Sequence, residues 1–147
     1  MTGERDLARL LRHMAPQMHT ETFVYCSFPD FKIPPGMNPI CTFREAEGIT
    51  AIVEKSQAER SAVSYVFEAN LITLKVNSSL EAVGFIAALA GSLAAANIPC
   101  NVVAAYHHDH LFVPTAKADE AFSLLTALTS ASPGAPGSMG AVGPALR

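Results

Sequence analysis

The second half of the chain changes its hydrophobic period in a fixed order, and few folds admit that order. Residues 71–76, Leu-Ile-Thr-Leu-Lys-Val, are rich in β-formers and read as a strand. Residues 82–96 come next, rich in alanine and glycine, with Ala82, Phe85, Ile86, Leu89 and Leu93 along one helical face. Residues 98–106 return to a strand pattern, 107–109 read as a turn, and 110–113 as a strand paired back onto it. Pro114 and Thr115 then open a last helix through Leu128, whose apolar stripe is Ala118, Ala121, Phe122, Leu125 and Leu128. The order over residues 70–128 is β-α-β-β-α, one strand short of the split βαβ, ferredoxin-like unit.

The first half is a looser version of the same series. Leu7, Leu10, Leu11 and Met14 form a helical stripe that Pro16 stops, and residues 23–28 read as a strand. Residues 29–39 hold four prolines and a glycine and are expected to be loop. Two strands, 41–44 and 49–53, flank a turn in which Gly48 is free to take positive φ. Ser56 and Glu59 have capping-box spacing, predicting a short helix over 56–60 with Ser56 as N-cap. Ser78 and Glu81 repeat that spacing, so a helix is expected to begin at Ser78, and Asn97 suits a left-handed cap at its end. The strand missing from one half is expected from the other, near residues 65–67, running almost directly into Leu71. The expected fold is α+β: two ferredoxin-like βαββαβ units in tandem, the first degenerate, with antiparallel sheets and helices on one face. The units are assigned to residues 1–68 and 69–129. Residues 130–147, with four glycines and three prolines, are expected to be a disordered tail.

Half of the 147 residues are hydrophobic and 16% are charged, so the chain must bury a core. A net charge of −3 with scattered Lys and Arg disfavours nucleic-acid binding, which needs a basic stripe. No run of 18 apolar residues lacks a polar interruption, and the N-terminus has no charged-then-apolar order, so no membrane association and a cytoplasmic location are expected. Cys26, Cys41 and Cys100 sit in apolar strand patterns and are expected to be reduced, with raised and blunted thiols. Nucleotide-loop, serine-elbow and metalloprotease motifs are all missing from the sequence.

Three stretches carry a family resemblance: residues 76–85 (Val-Asn-Ser-Ser-Leu-Glu-Ala-Val-Gly-Phe), 97–104 (Asn-Ile-Pro-Cys-Asn-Val-Val-Ala) and 106–114 (Tyr-His-His-Asp-His-Leu-Phe-Val-Pro). Together the sequence over residues 6–128 resembles the small bacterial tandem ACT-domain proteins, similar to the regulatory half of aspartate kinases and to arginine-sensing ACT tandems. The resemblance implies two intertwined ACT units, often paired side by side into a larger sheet. It also implies an amino-acid-like ligand at the strand-to-helix loop.

Three groups of residues are candidates for chemistry. The turn Asn77, Ser78, Ser79 and Leu80 precedes a helix, where unpaired N–H groups and the aligned peptide dipoles attract a carboxylate or phosphate. The alternative is that Ser78 merely caps its own helix. Asn101 places an amide among apolar strand residues, where it bonds either a backbone group or a ligand near the strand–helix loop. His107, His108, Asp109 and His110 form the third group. They read as a plain hairpin turn, as an HxH metal pair, or as ligand gating. The resemblance favours gating, with Asp109 taking a ligand ammonium. The leading expectation is a non-catalytic regulatory module that binds an amino acid or similar zwitterion, as a homo-oligomer, without cofactor or metal. A self-pairing or partner-binding structural module and a His-cluster metalloenzyme are the alternatives.

Overall fold

The computed structural model describes residues 2–131. In chain order these form α1 (Leu7–His13), β1 (Pro16–Phe28), β2 (Cys41–Glu45), β3 (Gly48–Glu54), α2 (Lys55–Arg60), β4 (Val66–Leu74), α3 (Phe85–Ala95), β5 (Asn101–Ala104), β6 (Asp109–Pro114), a 3₁₀ turn (Thr115–Lys117) and α4 (Ala118–Ala131). The strands make one antiparallel sheet in the order β2-β3-β1-β4-β6-β5. Two units are visible in that order. One is β1-β2-β3-α2-β4, and the other is β4-α3-β5-β6-α4 closed by β1. The central pair β1 and β4 therefore belongs to both, and each unit borrows its last strand from the other.

The sharing explains why β1 is longer than its sequence pattern suggests. The strand begins at Pro16 rather than at Phe23, although residues 16–22 are mostly polar. Pairs Pro16 with Leu74, Gln17 with Thr73 and Met18 with Ile72 supply its ladder bonds, so long-range pairing overrides weak local preference. Pro16 is tolerated because it is the first strand residue.

The helices cover one face. Leu10, Leu89, Leu93, Leu111 and Leu125 are fully buried between α1, α3, α4 and strands β4 and β6. Each such leucine contributes about 1.5–3 kcal/mol of burial free energy. A second cluster on the same face packs Ala58 of α2 on Val24, Cys26 and Val53. The opposite face holds Phe23, Ile52, Leu71 and Phe112, with Phe23 and Phe112 edge to face at 5.9 Å.

Local signals held at some places and failed at others. Gly48 has φ +145°, and a Cβ there would strike the Phe28 carbonyl. Asn97 is left-handed (φ 58°) just past α3. Neither expected capping box forms. α2 starts at Lys55 after Glu54, and Ser56 lies inside it. α3 starts at Phe85, seven residues beyond Ser78, because Gly84 (φ 89°) turns the chain left-handed immediately before it. The second-half strand is shorter than expected at both ends: β5 spans Asn101–Ala104 only. Asp109 is the first residue of β6 rather than a turn residue. Ser130 and Ala131 continue α4, and the rest of the expected tail, 132–147, lies outside the described residues.

Candidate functional site

The loop from β4 to α3 encloses the site. Ser78 and Ser79 are buried there, and Asp109 of β6 is buried beside them. The Ser78 hydroxyl donates to Asp109 Oδ2 at 2.5 Å, a charge-assisted bond between groups 31 residues apart. That bond is why no capping box forms: Ser78 spends its hydroxyl on the neighbouring strand rather than on its own loop. Ser79 Oγ accepts instead from the Glu81 N–H at 3.1 Å.

Beyond this pair lies a cavity of about 140 Å³, whose wall includes Ser78, Ser79, Leu80, Ala104, Asp109 and the first turn of α3. Phe85, Ile86 and Ala87 reach it from that turn. Their N–H groups precede the first intrahelical bond, from Ala88 N–H to the Gly84 carbonyl at 3.0 Å, so the helix leaves them unpaired. The site therefore sets a fixed carboxylate against a helix end with partial positive charge. Drug-sized pockets span about 300–1,000 Å³. This one admits only a small metabolite unless its walls move.

The segment before α1 straps across the loop: Glu4 N–H donates to the Asn77 carbonyl and Ser79 N–H to the Glu4 carbonyl, both at 2.9 Å. Arg5 and Glu81 add an exposed ion pair at 3.3 Å. Sequence reasoning does not find this strap, since a short polar segment with no periodicity gives no signal. It also misses Gly84 and the helix turn behind it. A glycine with positive φ is legible in principle, because it interrupts an otherwise helix-forming run.

The predicted residues divide. Ser78, Ser79, Leu80 and Asp109 line the cavity. Asn77 is exposed and contributes its carbonyl to the strap. His107 is exposed and stacks edge-on with Tyr106 at 4.8 Å, with His108 beside it at 6.3 Å; neither lines the cavity. Asn101 does not reach the site at all. Opposite pairs in the ladder share a face, so Asn101 lies with Phe112 on the helix-free side while Asp109 lies with Leu74 on the helix side. It is exposed there, not buried among apolar residues. His110 also faces the helix-free side. Its Nδ1 lies 3.0 Å from Thr73 Oγ1, which in turn lies 2.8 Å from His19 Nε2. Burial, and then the neighbouring His108, hold the His110 pKa below its ordinary value.

Among the described residues no group of three or more His, Cys, Asp or Glu is close enough to hold a metal ion. Burial raises the Cys26 thiol pKa and pushes Cys100 up to about 11, so both are protonated, poor nucleophiles at neutral pH. No helix among the described residues is long and apolar enough to cross a membrane.

Comparison with known proteins decides the family. ACT-domain profiles match residues 2–70 and, separately, residues 66–127, overlapping within β4. A crystal structure from Vibrio cholerae, of a protein of unknown function described as a possible transport protein, is 38% identical. That match covers 84% of this chain and 95% of that one at a TM-score of 0.74. The chain is a tandem ACT-domain protein. An Agrobacterium tumefaciens protein is similar at 15% identity and a TM-score of 0.60, over 74% of this chain and 81% of its own. The regulatory subunit of aspartate kinase from Thermus flavus is similar at 8% identity and 0.59, over 77% and 95%, which is a likeness of fold. No curated protein matches the sequence. The ACT profiles meet inside β4, one of the two strands that both units use, so the tandem is interleaved rather than strung end to end.

Proposed function

We propose that this ACT tandem is a non-catalytic regulatory module that binds an amino acid or similar small zwitterion in the cavity between the β4–α3 loop and β6. The observation that carries the reading is Asp109. It is a buried carboxylate, fixed by Ser78, that faces unpaired helix amides across a cavity. A zwitterion complements both poles. Its ammonium pairs with Asp109, and its carboxylate takes the N–H groups of Phe85, Ile86 and Ala87. Each charge-assisted bond contributes about 1.5–3 kcal/mol. ACT domains are typically regulatory small-molecule-binding modules, which agrees with this assignment. His107 and His108 stand outside the cavity, where they gate entry rather than hold the ligand.

Self-association is the companion reading. Leu80, Val83 and Tyr106 are exposed large apolar side chains on the loop and hairpin that flank the cavity. A second copy seated on that rim covers apolar surface and closes the site at once.

The test is a melting-temperature screen of the twenty amino acids, repeated with Asp109→Asn. A ligand at a hundred times its dissociation constant stabilises by about 2.7 kcal/mol. That raises the melting point of a domain this size by several degrees. At least one amino acid is expected to do so with the native chain and not with the variant. If none does, or if the variant responds equally, the assignment is wrong. Sedimentation with and without that amino acid reads the second copy.

A further inference from the structure

The face that no helix covers holds a hollow of about 140 Å³ with one ionisable wall. The sheet curls, so Cys41 of β2 stands across from Val103 of β5, with the buried pair Leu71 and Phe112 between them. His110 of β6 completes the lining, in which every other side chain is aliphatic, aromatic or a thiol. An apolar cavity of about 150 Å³ takes a body the size of benzene.

The His110 ring is oriented from behind. It lies between its ladder partners, Thr73 on β4 and Val103 on β5. Nδ1 is turned to Thr73 Oγ1 at 3.0 Å, so the opposite ring edge, which carries Nε2, is turned toward Val103 and the hollow. Among the described residues Nε2 has no hydrogen-bond partner, and it is not sealed from solvent. Thr73 is itself buried, and its hydroxyl lies 2.8 Å from His19 Nε2. This chain of groups suits an imidazolium. Nδ1–H of a protonated His110 donates to Thr73 Oγ1, the Thr73 hydroxyl donates to a neutral His19, and Nε2–H is left for a ligand.

The surroundings complement an anion. Burial, and then His108, hold the His110 pKa below its ordinary value; His19 and Lys75 add to this, and Asp109, on the opposite face, opposes it. The free ring is therefore mostly neutral at pH 7, and a negative charge beside it restores the proton. An amino acid is poorly suited, because its ammonium loses hydration against Cys41 and Val103 with no carboxylate to meet it.

We propose that this hollow is a second binding site, for a compact apolar monocarboxylate whose body rests on Leu71 and Phe112 and whose carboxylate accepts from His110 Nε2–H. Binding takes up one proton from solvent, and His110 carries it. The site is independent of the zwitterion cavity, which lies on the opposite face and whose Asp109 repels a simple carboxylate.

The experiment is an NMR titration of the ¹⁵N-labelled full chain with benzoate and with benzamide, which has the same shape without the charge. Benzoate is expected to shift the amides of Cys41, Val103 and His110, to leave Ser78 and Ser79 unmoved, and to move the His110 ring nitrogens toward their imidazolium positions. At pH 6 it is expected to bind about 5–10-fold more tightly than benzamide, the margin of a charge-assisted bond over a neutral one. Its affinity is expected to fall about 5–10-fold from pH 7 to pH 8, as the protonated fraction of His110 falls. His110→Asn is expected to erase both the preference and the pH dependence, while the melting temperature shows the variant folded. Any of four results on the native chain overturns the proposal: no shifts up to the solubility limit, equal affinity for the two probes, an affinity that does not fall from pH 7 to pH 8, or shifts centred on Ser78 and Ser79, which assign benzoate to the other cavity. A folded His110→Asn variant that keeps the preference overturns it as well.

Discussion

The two ACT units share strands β1 and β4 but differ in the segment that leaves their first strand. After β4 comes a loop and the 11-residue helix α3. After β1 come residues 29–40, with prolines at 29, 34, 35 and 39 and no helix. The helical version leaves the first-turn N–H groups without partners, and that is where the cavity forms. The proline version leaves few donors, since four of its residues have no N–H. Phe31 donates to Phe28, Met37 to Pro34 and Ile40 to Ile52, while Asn38 N–H bonds Gln57 Oε1 at 2.7 Å. Met37 is buried in the cluster that includes Val24, Cys26, Val53 and Ala58. The same sheet therefore carries a site where a helix begins and a seal where prolines replace one.

Core truncation gives the largest expected contrast. Leu89→Ala, in α3, removes a fully buried side chain and is expected to lower stability by about 2–5 kcal/mol in urea denaturation. Met37→Ala, in the proline loop, is expected to cost only about 1 kcal/mol, because a surface loop collapses around the loss more easily. Equal losses would mean that the loop is as integral to the core as the helix.

Ser78→Ala comes next. It strips the hydroxyl partner from the buried Asp109 carboxylate and is expected to cost about 1–3 kcal/mol. It should also weaken amino-acid binding as measured by calorimetry. The matched change in the other unit, Gln57→Ala, frees one exposed N–H and is expected to cost about 0.5 kcal/mol and leave binding unaltered.

Glycine substitution sharpens the comparison at smaller scale. Gly84→Ala meets only Leu7 Cδ2, at 3.7 Å, so its expected cost is the left-handed backbone alone, about 1–2 kcal/mol. Gly48→Ala adds a collision with the Phe28 carbonyl and should exceed it in the same assay. If Gly84→Ala costs nothing, the loop before α3 has other conformations available.

The smallest expected effect is a pH slope. The folded His110 pKa lies below its ordinary value of 6.5, chiefly through burial. The unfolded chain therefore binds the proton more readily. Stability is full above the unfolded value and falls as the pH drops through it toward the folded one. His110→Asn should flatten this part of the melting profile between about pH 7 and pH 5. An unchanged slope would assign the dependence to another group.

Much of the fold is legible in local sequence. The alternation over residues 70–128, the alanine-rich helix, the turn at Gly48 and the left-handed Asn97 all come from side-chain period and backbone sterics. Such features depend on residues a few positions apart. The capping boxes at Ser56 and Ser78 fail for that reason: the pattern records only local partners. Ser78 has a stronger acceptor 31 residues away, and Gly84 resets the helix start. Asn101 falls on the side away from the cavity because a strand's alternation fixes which residues share a face, not which face meets the helices.

The sequence by itself determined the order of elements, the apolar stripes that cover the sheet and the candidate loop. Each of these is a short-range consequence of period, propensity and proline or glycine geometry. The exchange of a strand between the halves near residues 65–67 is also expected from the sequence. Only the tertiary structure decided that β1 extends back to Pro16 to pair with β4 at the centre of the sheet, that residues before α1 strap the loop, and that the two sheet edges stand over Tyr25. Those outcomes depend on backbone hydrogen bonds between strands and segments far apart in the chain, and their register is set by what each strand finds to pair with.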